Sequence, residues 1–331
     1  MYDPLMNILI VGAGAVGSVY GYHLHEGGAK VSYLVKPRHL DSMKNGIQLY
    51  FKKIASKKSK SILFTDYKVF SDAKDLQAIQ FDYVILTMPS DALKGPWLPE
   101  LLDLVGNKVV LVSFQPGMLD QEYILGLGKL GRDRFVSGSI PIVSYHAPLP
   151  GEDITIPGYV SWTPPGQKVA FEGPGEKIAP LAKIFCLGGM RARASSSMKT
   201  DNIVPSLFLQ MIVAGLEAHH WSFNEFFQGS VQLTSDALQE ALPIAAEISK
   251  IPNPMKNSIV RCVSKPWMLK LILKQARWLV PFDFEAYMKA HFTKVGGQMH
   301  ASLDLLLSEG KKSGLPTAAL EALSGKVRRD S

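Results

Sequence analysis

Gly12, Gly14 and Gly17 fall within one short run, Gly12-Ala13-Gly14-Ala15-Val16-Gly17, where the apolar stretch Asn7–Val11 gives way to a helix-like stretch, Ala15–His25. Glycines at this spacing between a strand and a helix are suited to cradling a pyrophosphate. One permits a tight turn, one lets backbone N–H groups come close to the phosphates, and one lets the helix pack on the strand. The helix start adds a positive dipole end at the same place. The run therefore predicts a bound dinucleotide.

Which dinucleotide is decided at the end of the next strand. NAD-binding chains usually carry Asp or Glu about 20 residues beyond the glycines, where it holds the ribose hydroxyls. Here the strand ends in Lys36-Pro37-Arg38, with no acid before Asp41. Two cations attract a 2′-phosphate, so the expected cofactor is NADP(H).

Chemistry on a carbonyl needs a proton donor or a cation beside the oxygen. His291, Lys294 and Gln298 recur at i, i+3 and i+7, which sets three polar side chains on one helical face. Lysine can hold or protonate an alkoxide, and histidine titrates near neutral pH. Other polar groups fit simpler roles. Lys199, Asp201 and Ser195–Ser197 suit the cap of a long helix. His219 and His220 with Glu217 lack i, i+4 ligand spacing, so no metal site is expected.

These groups must be positioned by two kinds of architecture. Short apolar runs, Asn7–Val11, Lys30–Val35, Tyr83–Met88, Val109–Phe114 and Phe135–Val143, predict strands of a parallel sheet buried on both faces. Gly46–Phe64 reads as a hairpin with a lysine-rich, solvated tip. Further strands are predicted at Tyr159–Trp162 and Val169–Glu172, with a helix over Lys177–Leu187. Beyond Arg193 helical patterns run through Lys199–His220, Thr234–Lys250, Pro266–Val280, Phe284–Gly310 and Thr317–Val327. The fold class expected is α/β: an N-terminal Rossmann-type doubly wound sheet over 1–193, then an all-helical substrate or dimerisation domain over 194–331.

ILIVGAGAVGSVYGYHL, VSYLVKPRHLDSMKNGIQL and VVLVSFQPGMLDQE, with weaker matches at PGYVSW…FEGP and EGKKSGLPTAALEAL, make the chain resemble the ketopantoate reductase (2-dehydropantoate 2-reductase) family. The resemblance implies a Rossmann domain and a helical domain with a cleft between them, bordered by the helix of His291, Lys294 and Gln298. It also implies reduction with NADPH, and a cofactor site of Gly12–Gly17, Lys36, Arg38, Met88 and Gln115. The family's polar catalytic and substrate-holding positions fall here at Pro89, Pro116, Pro205 (or Ser206) and Gln298. Proline has neither a side-chain donor nor a backbone N–H. The function expected is an NADP(H)-dependent oxidoreductase of this type acting on a carbonyl or hydroxy compound other than ketopantoate. The alternative is a non-catalytic NADP(H)-binding protein on the same fold.

Composition sets outer bounds. The chain has 331 residues, 47% hydrophobic and 20% charged, with a net charge of +7 that falls mainly after residue 190. That balance suits anionic small ligands and excludes nucleic acid as an expected partner. Two isolated cysteines disfavour a disulfide scaffold and fit the cytoplasm. Residues 248–282 hold seven basic residues and no acidic one. The helix over 266–280 is either a basic amphipathic helix touching a membrane surface or partner, or a packed helix with its charged stripe in water. A homodimer is the expected assembly.

Overall fold

The computed structural model describes residues 6–54, 56–294 and 296–329. The chain divides into two compact units, Met1–Met198 and Lys199–Ser331. The first unit is built on β1 (Asn7–Val11), α1 (Ala15–Glu26), β2 (Lys30–Leu34), α2 (Leu40–Lys44), β3 (Ile47–Lys53), β4 (Ser56–Phe64), β5 (Lys68–Phe70), β6 (Tyr83–Leu86), α3 (Trp97–Val105), β7 (Val110–Ser113), α4 (Asp120–Gly126), β8 (Phe135–Gly138), β9 (Val143–Ala147), β10 (Gly158–Trp162), β11 (Val169–Glu172), α5 (Gly175–Leu187) and β12 (Ala192–Ala194).

An eight-stranded sheet runs in the order β12-β11-β8-β7-β6-β1-β2-β5. Its pairings are parallel from β5 across to β8, and β11 meets β8 antiparallel. Ile8, Leu9 and Ile10 of β1 and Val84, Ile85 and Leu86 of β6 have no exposed surface. Such strands bury both faces, which is why they read as continuous apolar runs rather than as an alternation. The chain leaves β1 toward β2 on one side and returns to β6 on the other. That reversal makes the crevice beyond the carboxyl ends of β1 and β6 the place where open α/β sheets bind ligands.

A second sheet of four strands, in the order β4-β3-β10-β9, corrects two sequence expectations. The hairpin of β3 and β4 does not stand alone: β3 pairs parallel with β10, Leu49 opposite Tyr159. The run Phe135–Val143 is two strands, because β8 pairs with β7 and β11 whereas β9 pairs with β10. Gly138 and Pro141 lie where the chain passes between the sheets, and proline cannot donate to a ladder. Glu152 fastens this region. Its carboxylate accepts from Lys52 Nζ at 2.5 Å, Tyr145 Oη at 2.6 Å and the Leu149 N–H at 2.9 Å. Burial pushes the Glu152 carboxyl up, but these donors win and hold it below its ordinary value. Ala55 at the hairpin tip, and the side chains of 56–58, lie outside the described residues.

Between the units, the expected division after residue 193 gives way to one after Met198, since β12 is still paired with β11. The Met198 N–H is taken by the Glu172 carboxylate. The second unit holds α6 (Met198–Glu217, all but its first residue), α7 (Phe223–Gly229), α8 (Val231–Ser249), α9 (Ser258–Val263), α10 (Pro266–Leu279), α11 (Phe284–Lys294), α12 (Gly296–Lys312) and α13 (Ala318–Arg329). Among the described residues it contains no strand. The central helix is α8, whose Ala237, Leu238, Ala241, Leu242 and Ala245 are buried against α10, α12 and α13. Small residues on that face let neighbouring helices approach closely.

Candidate functional site: the glycine turn and its surroundings

The turn after β1 is held from three sides. Gly12 adopts φ 97°, a left-handed conformation that glycine takes without strain. Its N–H donates to the Leu34 carbonyl at 3.0 Å, joining the turn to the end of β2. Thr87, just past β6, donates its hydroxyl to the carbonyls of Gly12 (2.8 Å) and Val11 (3.1 Å). Gly17 is buried beneath this arrangement, and a Cβ there would run into the Gly12 carbonyl and the Thr87 hydroxyl. Gly14 differs: it is exposed, and a Cβ would meet nothing within 4 Å. Ala13, Ala15 and Val16 are half-buried around it. Helix α1 starts here with no acidic residue in its first turn and with His23 and His25 in its last. No acidic side chain of that first turn therefore competes for the amides at the helix start.

Lys36 and Arg38 lie beyond β2, both exposed, with Pro37 opening a short 3-10 turn between them. Arg38 Nε lies 3.1 Å from His39 Nε2. The nearest acid in sequence, Asp41, is engaged by Lys44 at 2.9 Å. Two exposed cations thus stand at this edge.

On the other side of the glycine turn the loops after β6 and β7 are tied together. Gln115 donates its side-chain amide to the Met88 carbonyl at 2.9 Å and lies 3.3 Å from the Met88 sulfur. Its carbonyl oxygen accepts from the buried Ser113 hydroxyl at 2.5 Å. Sequence reasoning missed a second tie, in which Ser90 donates to Asp120 at 2.6 Å while the same carboxylate accepts the Gly117 N–H at 2.8 Å. Thr87 was missed as well. Pro89 and Pro116 flank these bonds. Gly12–Gly17, Lys36, Met88 and Gln115 thus stand at the carboxyl ends of adjacent strands β2, β1, β6 and β7.

In the second unit, His291 stacks on Tyr287 at 5.3 Å and meets Phe292 edge-on at 4.8 Å. Burial, and then the nearby Lys294 charge, push its imidazole down to about 4, so it is neutral at neutral pH. Lys294 is exposed and Gln298 half-buried; neither has a hydrogen-bond partner among the described residues. Val295, which separates α11 from α12, lies outside them. Pro205 and Ser206 are exposed on α6, Pro205 inside the helix. A polar group that sequence reasoning did not assemble lies at the end of α6. Glu217 pairs with His300 at 3.1 Å on the wall of a cavity of about 440 Å³ that also includes His220, Trp221, Lys289 and Thr293. Among the described residues no cluster of His, Cys, Asp and Glu could hold a metal ion.

Residues 8–166 match the family model described as ketopantoate reductase PanE/ApbA. No curated protein matches the chain. Three solved structures show the same fold. The PanE/ApbA family ketopantoate reductase from Ralstonia eutropha JMP134 gives a TM-score of 0.68 at 18% identity, covering 98% of both chains. The 2-dehydropantoate 2-reductase from Geobacter metallireducens GS-15 gives 0.68 at 18% identity, covering 98% of this chain and all of that one. D-mandelate dehydrogenase, solved with NADH and anilino(oxo)acetate, gives 0.65 at 17% identity over 98% of both.

Proposed function

We propose, from the match of residues 8–166 to the ketopantoate reductase family model, that the protein is an NADP(H)-dependent oxidoreductase that interconverts a carbonyl and a hydroxyl group. The observation that carries this reading is the open space over Gly14, at the head of a helix whose first turn has no acid, beside the exposed cations Lys36 and Arg38. A nicotinamide dinucleotide fits these residues. The amides of Gly12–Gly17 would hold its pyrophosphate, Lys36 and Arg38 its 2′-phosphate, and Met88 and Gln115 would lie along it. When bound, the cofactor supplies or accepts hydride.

The chain's own task is then to manage the substrate oxygen. Lys294 is our proposed donor: its ammonium stabilises an alkoxide and gives it a proton. His291, neutral through burial, is a hydrogen-bonding neighbour rather than a second charge, and Gln298 adds a neutral amide to the same group. The substrate is a small carbonyl or hydroxy compound other than ketopantoate, since prolines stand at 89, 116 and 205. D-mandelate dehydrogenase, with the same fold, was solved with anilino(oxo)acetate, which makes 2-oxo acids the first class to try.

Calorimetric titration with NADPH and NADH, followed by NADPH oxidation over a panel of 2-oxo acids and simple ketones, tests the proposal. Equal affinities for the two cofactors, or binding of neither, overturn it. The same three prolines favour one rival, a non-catalytic NADP(H)-binding protein, and tight NADPH binding without turnover of any carbonyl would establish that instead. The free Cys186 and Cys262 fit the cytoplasm we assign to it. A homodimer is the assembly we expect, checked by molar mass in solution.

A further inference from the structure

We propose that the outer face of α10 docks the protein on an anionic lipid surface. The inner face of this helix is accounted for: Leu269 and Leu273 are buried, Lys270 lies over the Phe227 ring at 5.8 Å, and Arg277 over Phe223 at 5.0 Å. The outer face is not the charged stripe in water that a packed helix would show. Trp267 is 56% exposed and Trp278 83%, with Leu271 and Leu279 also exposed. Trp267, Leu271, Lys274 and Trp278 follow at i, i+4, i+7 and i+11, one line along the helix. Ile259, on neighbouring α9, is exposed as well. Large apolar side chains grouped in this way mark an interaction surface rather than scattered exposure.

Charge identifies the partner. All seven ionisable residues between 248 and 282 apart from Cys262, namely Lys250, Lys256, Arg261, Lys265, Lys270, Lys274 and Arg277, are cationic. Among the described residues none of them forms an ion pair. Tryptophan and leucine beside Lys274, with the exposed Lys265 at the helix start, on a helix too short to span a bilayer is the pattern of a helix lying in the headgroup plane. Among the described residues no helix is long and apolar enough to cross a membrane, so the contact is peripheral. A second copy of the chain is a poor occupant, because a two-fold contact would set the same cations against themselves. Single-stranded nucleic acid uses cations and tryptophan too, but gives Leu271, Leu279 and Ile259 nothing to bury in. Lipid satisfies both sets.

The full chain is tested by co-sedimentation with phosphatidylcholine vesicles, with and without phosphatidylglycerol, at low and high salt. We expect partitioning about tenfold stronger on the anionic vesicles, loss of most of that gain at high salt, and a blue shift of tryptophan emission on binding. Trp267→Ala with Trp278→Ala, and separately Lys274→Glu, should each weaken partitioning at least about fivefold. Because these side chains are exposed, the thermal midpoint and NADPH titration of the variants should match those of the parent. Equal sedimentation with neutral and anionic vesicles overturns the proposal. So does an oligonucleotide bound in place of vesicles, or a dimer abolished by the tryptophan substitutions in a protein that ignores lipid.

Discussion

Gln115 reaches across from the loop after β7 to donate its amide to the carbonyl of Met88, in the loop after β6, at 2.9 Å. The Ser113 hydroxyl holds the other end of the same amide. Together with the Ser90–Asp120 bond, this closes two neighbouring strand ends into one unit beside the glycine turn. Gln115→Leu leaves the Ser113 hydroxyl and the Met88 carbonyl without a partner, at a cost of about 1–3 kcal/mol. We expect a lower denaturation midpoint and faster amide exchange between residues 87 and 93. An unchanged exchange pattern would show that the bond positions nothing.

The glycines of the turn should separate by function. Gly17→Ala forces a methyl group into the Gly12 carbonyl and should destabilise the protein by about 1–3 kcal/mol. Gly14→Ala meets open space and should leave stability within about 0.5 kcal/mol of the parent, yet lower NADPH affinity about tenfold or more. Thermal unfolding and calorimetry on the two variants distinguish the effects.

Lys36→Ala and Arg38→Ala should each reduce NADPH affinity by about 1.5–3 kcal/mol while leaving NADH affinity unchanged, because a charge-assisted phosphate contact is lost. A proportional loss for both cofactors would place the side chains elsewhere than on the 2′-phosphate.

Lys294→Ala should lower turnover of an accepted carbonyl substrate by about 100-fold at unchanged NADPH affinity. Ketopantoate itself should turn over negligibly in the parent protein. Full activity in the variant removes Lys294 from the chemistry.

His291 should leave a signature in stability against pH. Its folded value is about 4 against an ordinary 6.5, so below 6.5 the unfolded chain takes up a proton that the buried imidazole refuses. Stability is intact above pH 6.5 and falls between there and pH 4, by up to about 3 kcal/mol from this group. Urea unfolding at a series of pH values should show that limb flattened in His291→Leu. An equal slope in both proteins would contradict it.

Local signals were legible and long-range ones were not. The glycine turn declares itself by spacing within six residues, and β1 and β11 appear with the limits their apolar runs predicted. Lys36 and Arg38 are visible because a missing acid can be read at a single place. The Ser90–Asp120 and Lys52–Glu152 bonds join residues 30 and 100 apart, and nothing in either neighbourhood announces its partner. The same applies to β3 and β10, whose pairing turned an expected free hairpin into part of a sheet. Strands as short as β5 and β12, three residues each, carry too little pattern to separate from a loop. On α10 the periodicity gave the helix but not which face would stay uncovered, because that depends on where Phe223 and Phe227 take up Lys270 and Arg277.

The ion pair between Lys52 and Glu152 makes one amine of the lysine-rich hairpin chemically distinct from its neighbours. Lys52 Nζ is locked against a carboxylate and largely shielded, whereas the adjacent Lys53 and the nearby Lys60 stand in solvent. An acylating reagent applied briefly to the native protein should therefore mark Lys53 and Lys60 and spare Lys52. The degree of Lys52 labelling becomes a footprint of the small sheet alone, reporting its opening by mass spectrometry while the eight-stranded sheet stays intact.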